Sequence, residues 1–339
     1  MTFIASNFER FKDKIVVWER NSNGKRVIRE YKSPQYFYIP APDGEFEAIT
    51  GEKLTKLEFG SKTEFDEACL SYPKRFESDI TPLEKVMMDN YADKSAPTLN
   101  IGLLDIEVDY DPLVPGGASK LVEDPYAPIN AITIWLSEVD TYFCFAVPPP
   151  GFNAEKYSVS LEQSNQTFYL CRDERELLDQ FFAVLDDVDI ISGWNSEFFD
   201  LPYIGRRVEL LYGETGLRRL GFDRGPMPRW TEKERFKHAK EKDLCLEIGS
   251  RVHLDYMRLF KKFNLNSRQS YSLAAIASEE LSTPKLHHDE TLHQLYRGNY
   301  RPDLTRLKPE SEWADYEKAN IEREFLRQEI ERRGLNIPK

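Results

Sequence analysis

Residues 99–110, "LNIGLLDIEVDY", decide how the rest of the chain is read. The apolar run around them has the composition of a β-strand. Asp105 and Glu107 are two positions apart in it, so their side chains point to the same face. With apolar residues before and between them, the two carboxylates read as a buried pair. Burying unpaired carboxylates is costly, and two like charges on one face raise the cost further. A divalent cation, a basic partner or an exposed strand end has to account for them, and the stretch alone leaves all three open.

Composition narrows the setting. At 339 residues the chain is long enough for two domains with sizeable cores. Cys69, Cys144, Cys171 and Cys245 are scattered without CxxC spacing, which argues against a zinc site or a disulfide framework and for a reducing, cytoplasmic environment. No segment approaches the ~20 apolar residues of a membrane span, so no membrane association is expected. A net charge of −12 speaks against nucleic-acid binding by the whole surface. One basic track, from Arg206 to Lys242, runs against that trend.

Upstream, residues 14–40 alternate in polarity around Asn23-Gly24, a hairpin signal, and "SKTEFDEACLSYPKRF" (61–76) has helical spacing. These predict a small α+β domain over residues 1–96, with "YADKSAPT" (91–98) as connector. A second domain over 97–339 contains strands at "LNIGLLDIEV", "INAITIWLS" and "TYFCFAVP", a helix at "RELLDQFFAVLDD", and a short buried strand at "VDIISGW". Strands, then a helix, then a strand ending in polar residues predict an α/β fold, a mixed sheet flanked by helices, with a site at the strand ends. A last helix is expected over about Glu312–Arg333, stopping at Gly334.

The second chemical signal is "SGWNSEFFDLPYI" (192–204), where Asn195 and Asp200 flank aromatics directly after the buried strand. Pro202 is tolerated near a first helical turn, which puts Asp200 at a helix start. By itself Asp200 reads first as an N-cap. Taken with Asp105 and Glu107 it makes an oxygen-rich, cysteine-free cluster of acids suited to Mg²⁺ or Mn²⁺. Two such ions about 4 Å apart activate a water and stabilise the leaving oxygen in phosphodiester hydrolysis.

The order "LLDIEV", "GWNSEFFDLPYI" and a late Tyr-x3 motif in "DYEKANIEREFL" resembles the three exonuclease motifs of family B DNA polymerases. "RFESDITPLEKVMMDNY" (75–91), "HLDYMRLFKKF" (253–263) and "SYSLAAIASEEL" (270–281) are similar to that family too, most closely to its phage-type members. The resemblance implies a ribonuclease H-like exonuclease domain preceded by the family's N-terminal domain. It further implies 3′–5′ removal of nucleotides from single-stranded DNA 3′ ends or primer–template DNA, with two Mg²⁺ or Mn²⁺ ions. Asp105, Glu107 and Asp200 would be metal ligands, Asn195 and Phe199 substrate contacts, and Tyr316 a catalytic residue one helical turn from Asn320. Residues between Arg235 and Val252 read as a hairpin with basic strands, either an ordinary surface hairpin or, as the resemblance implies, one that helps separate the primer end from the template.

One position departs from the pattern. The family's third motif reads Tyr-x3-Asp, whereas Tyr316 is followed by Asn320. Asn keeps the shape of Asp but has no charge and one acceptor oxygen, so metal affinity and activation of the attacking water are expected to suffer. No "SLYP"-like or "DTDS"-like segment occurs, so the chain is not expected to polymerise DNA alone. It reads as a fragment or one half of a split polymerase, working with palm, fingers and thumb portions in the cytoplasm, the host's if phage-encoded. The alternative is a catalytically silent nucleic-acid-binding or docking module of such a polymerase. A free-standing nuclease acting on RNA is a remoter one, since nothing in the sequence reads a 2′-hydroxyl.

Overall fold

The structure, a computed structural model, describes residues 2–109, 122–149, 165–235, 242–264, 266–282 and 296. It divides into two compact units, Met1–Leu99 and Asn100–Lys339. Tyr316, Asn320 and the expected helix over 312–333 lie outside the described residues.

In the first unit, β1 (Thr2–Glu9), β2 (Lys14–Arg20) and β3 (Arg26–Lys32) form an antiparallel sheet. The β2–β3 turn is the one expected at Asn23-Gly24, with Gly24 at φ +76°, a conformation that suits a residue without a Cβ. A second sheet joins β4 (Tyr36–Pro40), β5 (Phe46–Glu47) and β6 (Lys53–Glu58) in the order β4-β6-β5. Two helices follow, α1 (Lys62–Ser71) and α2 (Pro82–Tyr91). Helix α2 starts on a capping box, in which Thr81 accepts from the Glu84 N–H and Glu84 accepts from the Thr81 N–H. Its inner residues Val86 and Tyr91 pack on Ile15 and Val17 of β2.

The second unit is built on a six-stranded mixed sheet. Its strands are β7 (Ile101–Val108), β8 (Ile129–Leu136), β9 (Thr141–Ala146), β10 (Gln166–Leu170), β11 (Ile190–Gly193) and β14 (Val252–Asp255), in the order β10-β9-β8-β7-β11-β14. Between β10 and β11 runs α3 (Glu174–Leu185). After β11 come α4 (Asp200–Tyr212) and the hairpin of β12 (Arg229–Lys233) with β13 (Asp243–Glu247), and after β14 come α5 (Tyr256–Phe263) and α6 (Leu273–Leu281). Strand β8 is antiparallel to both of its neighbours β7 and β9, whereas β11 is parallel to both β7 and β14. This mixed sheet with its helices is the α/β architecture expected from the pattern of elements.

Alternation along β7 orients the sheet. Leu104, Ile106 and Val108 are buried among Ile132, Ile134 and Phe145 of the sheet, Leu177, Leu178 and Phe181 of α3, and Leu201, Ile204 and Val208 of α4. Leu103, Asp105 and Glu107 point to the opposite, exposed face. That face continues across the paired positions to Tyr142, Phe168, Val252 and Leu254, all exposed. The expectation of a buried carboxylate pair is therefore corrected. Period-2 alternation sends the acids out and the aliphatics in, and of the three accounts considered, exposure already suffices.

The expected hairpin is shifted and recomposed. It pairs Arg229–Lys233 with Asp243–Glu247, while Val252 belongs to the central sheet. Its strands carry mixed charge, with Arg229 on Glu247 and Arg235 on Asp243. Much of the basic track is paired in the same way, Arg206 with Glu209, Arg207 with Glu174 and Arg219 with Asp179.

Gly193 ends β11 where a side chain does not fit. A Cβ there would lie 2.6 Å from the Leu104 carbonyl oxygen and 2.8 Å from the Ser196 Cβ. Gly193→Ala is expected to lower stability by about 1–3 kcal/mol through overpacking against backbone. A reduced chemical-denaturation midpoint would show it, and an unchanged midpoint would contradict this packing.

Candidate active site

The site forms where β11 stops. Strand β11 pairs with β7 only from Ile101 to Leu103, so farther along β7 the backbone has no strand partner on that side. The chain turns through Trp194–Phe199 and starts α4 at Asp200. The turn contains Asn195 at φ +62°, the left-handed conformation that Asn tolerates better than most residues. The Phe198 N–H closes the turn on the Asn195 carbonyl.

Asp200 is not the N-cap. Phe199 holds that position with no side-chain cap, and the Asp200 carboxylate reaches sideways to accept the Ile106 N–H of β7 at 3.2 Å. One buried hydrogen bond thus ties the second motif to the strand of the first. Asp200 is 4% exposed, and its carboxyl is pushed up to about 7, first by burial and then by the nearby charge of Asp105, with Asp255 contributing less. The backbone hydrogen bonds pull the other way without overcoming these effects. Asp105 and Asp200 therefore share one electrostatic field, with Glu107 on the same exposed face as Asp105.

A layer of contacts holds the 194–199 turn. The Ser192 hydroxyl donates to the Leu254 carbonyl, and the fully buried Ser196 hydroxyl lies 2.9 Å from His253 Nε2. Burial holds His253 below its usual range despite the nearby Asp255 and Glu197 carboxylates. Asp255, buried at the end of β14, accepts the Glu197 N–H at 3.0 Å and caps α5 through the Arg258 N–H. Trp194 donates its indole N–H to the Tyr271 carbonyl and packs against Tyr256 and Phe260 of α5. The Glu197 carboxylate is gripped by Lys233 at 2.9 Å and by Arg258. Burial would raise its pKa, but the two cations together hold it below the usual carboxylate range.

The sequence picked out Asp105, Glu107, Asn195, Phe199 and Asp200; Asp105 and Glu107 share one face of β7, Asp200 reaches that strand at Ile106, Asn195 sits on the turn before it, and Phe199 packs against the core. Glu197 and His253 were not anticipated, because neither stands in a recognisable spacing. Donor chemistry here is oxygen-based and suits a hard cation. Among the described residues, however, no three His, Cys, Asp or Glu side chains are grouped closely enough to hold a metal by themselves.

Residues 73–276 match the family described as DNA polymerase family B, exonuclease domain, and the chain belongs to that family. It is 28% identical over 329 residues to the DNA-directed DNA polymerase of Escherichia phage RB69, an alignment covering 87% of this chain and 34% of that protein. It is 31% identical over 130 residues to the DNA-directed DNA polymerase of Enterobacteria phage T4, covering 38% of this chain and 14% of that one. The chain thus spans about a third of the RB69 protein's length. These findings bear out the resemblance to phage-type family B polymerases.

The raised Asp200 pKa has a signed consequence. A carboxyl whose folded pKa exceeds its unfolded value favours folding fully below about pH 4 and loses that contribution as pH rises through about 7. In EDTA at pH 8, Asp200→Asn is therefore expected to be more stable than the parent by up to about 4 kcal/mol, with the gap closing towards pH 4. Denaturant titrations at several pH values measure this. A variant that is less stable than the parent at pH 8 would overturn the assignment.

Proposed function

We propose that the chain is the N-terminal and 3′–5′ proofreading-exonuclease portion of a family B DNA polymerase acting in DNA replication. The observation that carries this reading is the Asp200–Ile106 hydrogen bond, which sets one acidic motif beside Asp105 in a chain whose residues 73–276 belong to that exonuclease family. In this reading the second unit is a ribonuclease H-like nuclease and the first, to about residue 96, is the family's N-terminal domain.

Asp105, Glu107 and Asp200 are the residues that would hold Mg²⁺ or Mn²⁺. Two carboxylates in one field, one of them kept protonated near neutrality by burial first and by the other's charge second, are what a hard cation relieves. When bound, such ions supply charge stabilisation and an acidified water for phosphodiester hydrolysis. The protein's own contribution is placement. In this reading Asn195 and Phe199, on the turn just before Asp200, would contact the 3′-terminal nucleotide, while Asp105 and Glu107 lie on the exposed face of β7. Tyr316 and Asn320 enter through the resemblance, Tyr316 to orient water and Asn320 as a weakened ligand.

The substrate is a single-stranded DNA 3′ end or a frayed primer–template. The remaining polymerase parts are the natural partner, on the same chain or another, in the cytoplasm of the phage host. No described helix is long and apolar enough to cross a membrane. Asn320 and the absence of a closed three-ligand set among the described residues favour a second reading, a catalytically silent binding or docking module.

Loss of nucleotides from 5′-labelled single-stranded DNA in Mn²⁺ separates the two. Asn320→Asp is expected to cut at least about 100-fold faster than the parent, and Asp105→Ala or Asp200→Ala in that background to abolish cutting. If Asn320→Asp does not cut while the parent still binds single-stranded DNA, the silent-module reading holds.

A further inference from the structure

Glu197 lies in none of the expected metal-binding or substrate-contact positions, yet it joins three elements. Its backbone N–H goes to Asp255 at the end of β14. Its carboxylate, 11% exposed, meets Lys233 of hairpin strand β12 at 2.9 Å and also Arg258 of α5. Two residues before it stands Asn195, and two and three residues after it stand Phe199 and Asp200. The neighbouring Phe198 is buried with the Arg235 guanidinium 5.2 Å from its ring, so a second contact follows the same path from hairpin to turn.

A carboxylate shielded from water and held by two cations is geometrically stiff, because removing either partner leaves charge imperfectly compensated. Through Glu197, the hairpin cannot shift at Lys233 without pulling on the turn that carries the candidate nucleotide contacts and Asp200. We propose that Glu197 is a positioning residue that locks hairpin strand β12 and helix α5 to the 194–199 turn, so that the seating of the hairpin and the geometry of the nuclease site are set together. This rests on the nuclease reading for its effect on catalysis, while the mechanical coupling stands on the contacts alone.

Hydrogen exchange tests the coupling on the full chain without DNA. Glu197→Gln keeps the size and one acceptor but removes the charge, and Lys233→Met removes the hairpin's side of the contact. Either change is expected to speed amide exchange by about tenfold or more in both 194–199 and 229–233, since local opening becomes easier. The double variant is expected to be no faster than the more affected single variant, the non-additivity of two residues acting as one contact. Exchange unchanged in the 194–199 turn, or single effects that simply add, overturns the proposal.

Catalysis is read in the Asn320→Asp background on single-stranded DNA in Mn²⁺. A residue that places others without touching substrate should lower kcat, here by about tenfold, and leave KM within about twofold. A raised KM with unchanged kcat would instead make the Glu197–Lys233 pair a direct substrate contact and refute the positioning role. If Asn320→Asp itself fails to cut, that counts against the nuclease reading, and the exchange result still decides whether the coupling exists.

Discussion

The architecture of the site depends on one buried amide. Strand β11 ends after Gly193, leaving the Ile106 N–H of β7 without a strand neighbour on that side, and a buried N–H left unpaired costs about 1–3 kcal/mol. Asp200 supplies the acceptor from the first turn of α4. To reach it, β11 has to stop where it does, the backbone has to turn through a left-handed residue at Asn195, and α4 has to start on the buried side. The same hydrogen bond holds the Asp200 carboxylate in a buried place within the field of Asp105, and burial first and that charge second raise its pKa.

Around that bond the molecule uses strong polar ties between neighbouring elements. Arg251 reaches across from the start of β14 to the carbonyls of Val188, Leu185 and Leu220. Arg207 of α4 meets Glu174 of α3, which also accepts the Ile129 N–H at the start of β8. Each removes backbone or side-chain polar groups from the cost of burial while fixing where helices enter the sheet. The Glu197 contacts belong to the same pattern but sit on the turn that carries the site, so their mechanical effect falls on chemistry.

Much of this was legible in the sequence. Apolar spacing located β7, α3 and β11, Pro202 marked the start of α4, and the two-residue separation of Asp105 and Glu107 put them on one face. The side of the sheet was misread because "LDIEV" was weighed by its apolar content. Its strict alternation already implied one buried and one exposed face. Strand β10 escaped because "QTFYL" is short and half exposed, and it holds its place by parallel pairing with β9. The hairpin was misplaced because a charged segment has no apolar periodicity to mark its ends, and its register is fixed by cross-strand pairing instead. The ties from Asp255, His253 and Glu197 to the turn cross about sixty residues of chain or less, through pairs with no shared motif. Local pattern carries no trace of which residues they join.

The central claim is that Asp200, protonated near neutrality beside Asp105, is poised to exchange its proton for a cation. Calorimetric titration of Mn²⁺ at pH 6.5, repeated in buffers of different ionisation enthalpy, measures that exchange. With the Asp200 pKa near 7, about three-quarters of a proton should be released per bound ion, and release should vanish in Asp200→Asn. Mn²⁺ binding at this site with no linked proton release would contradict the account.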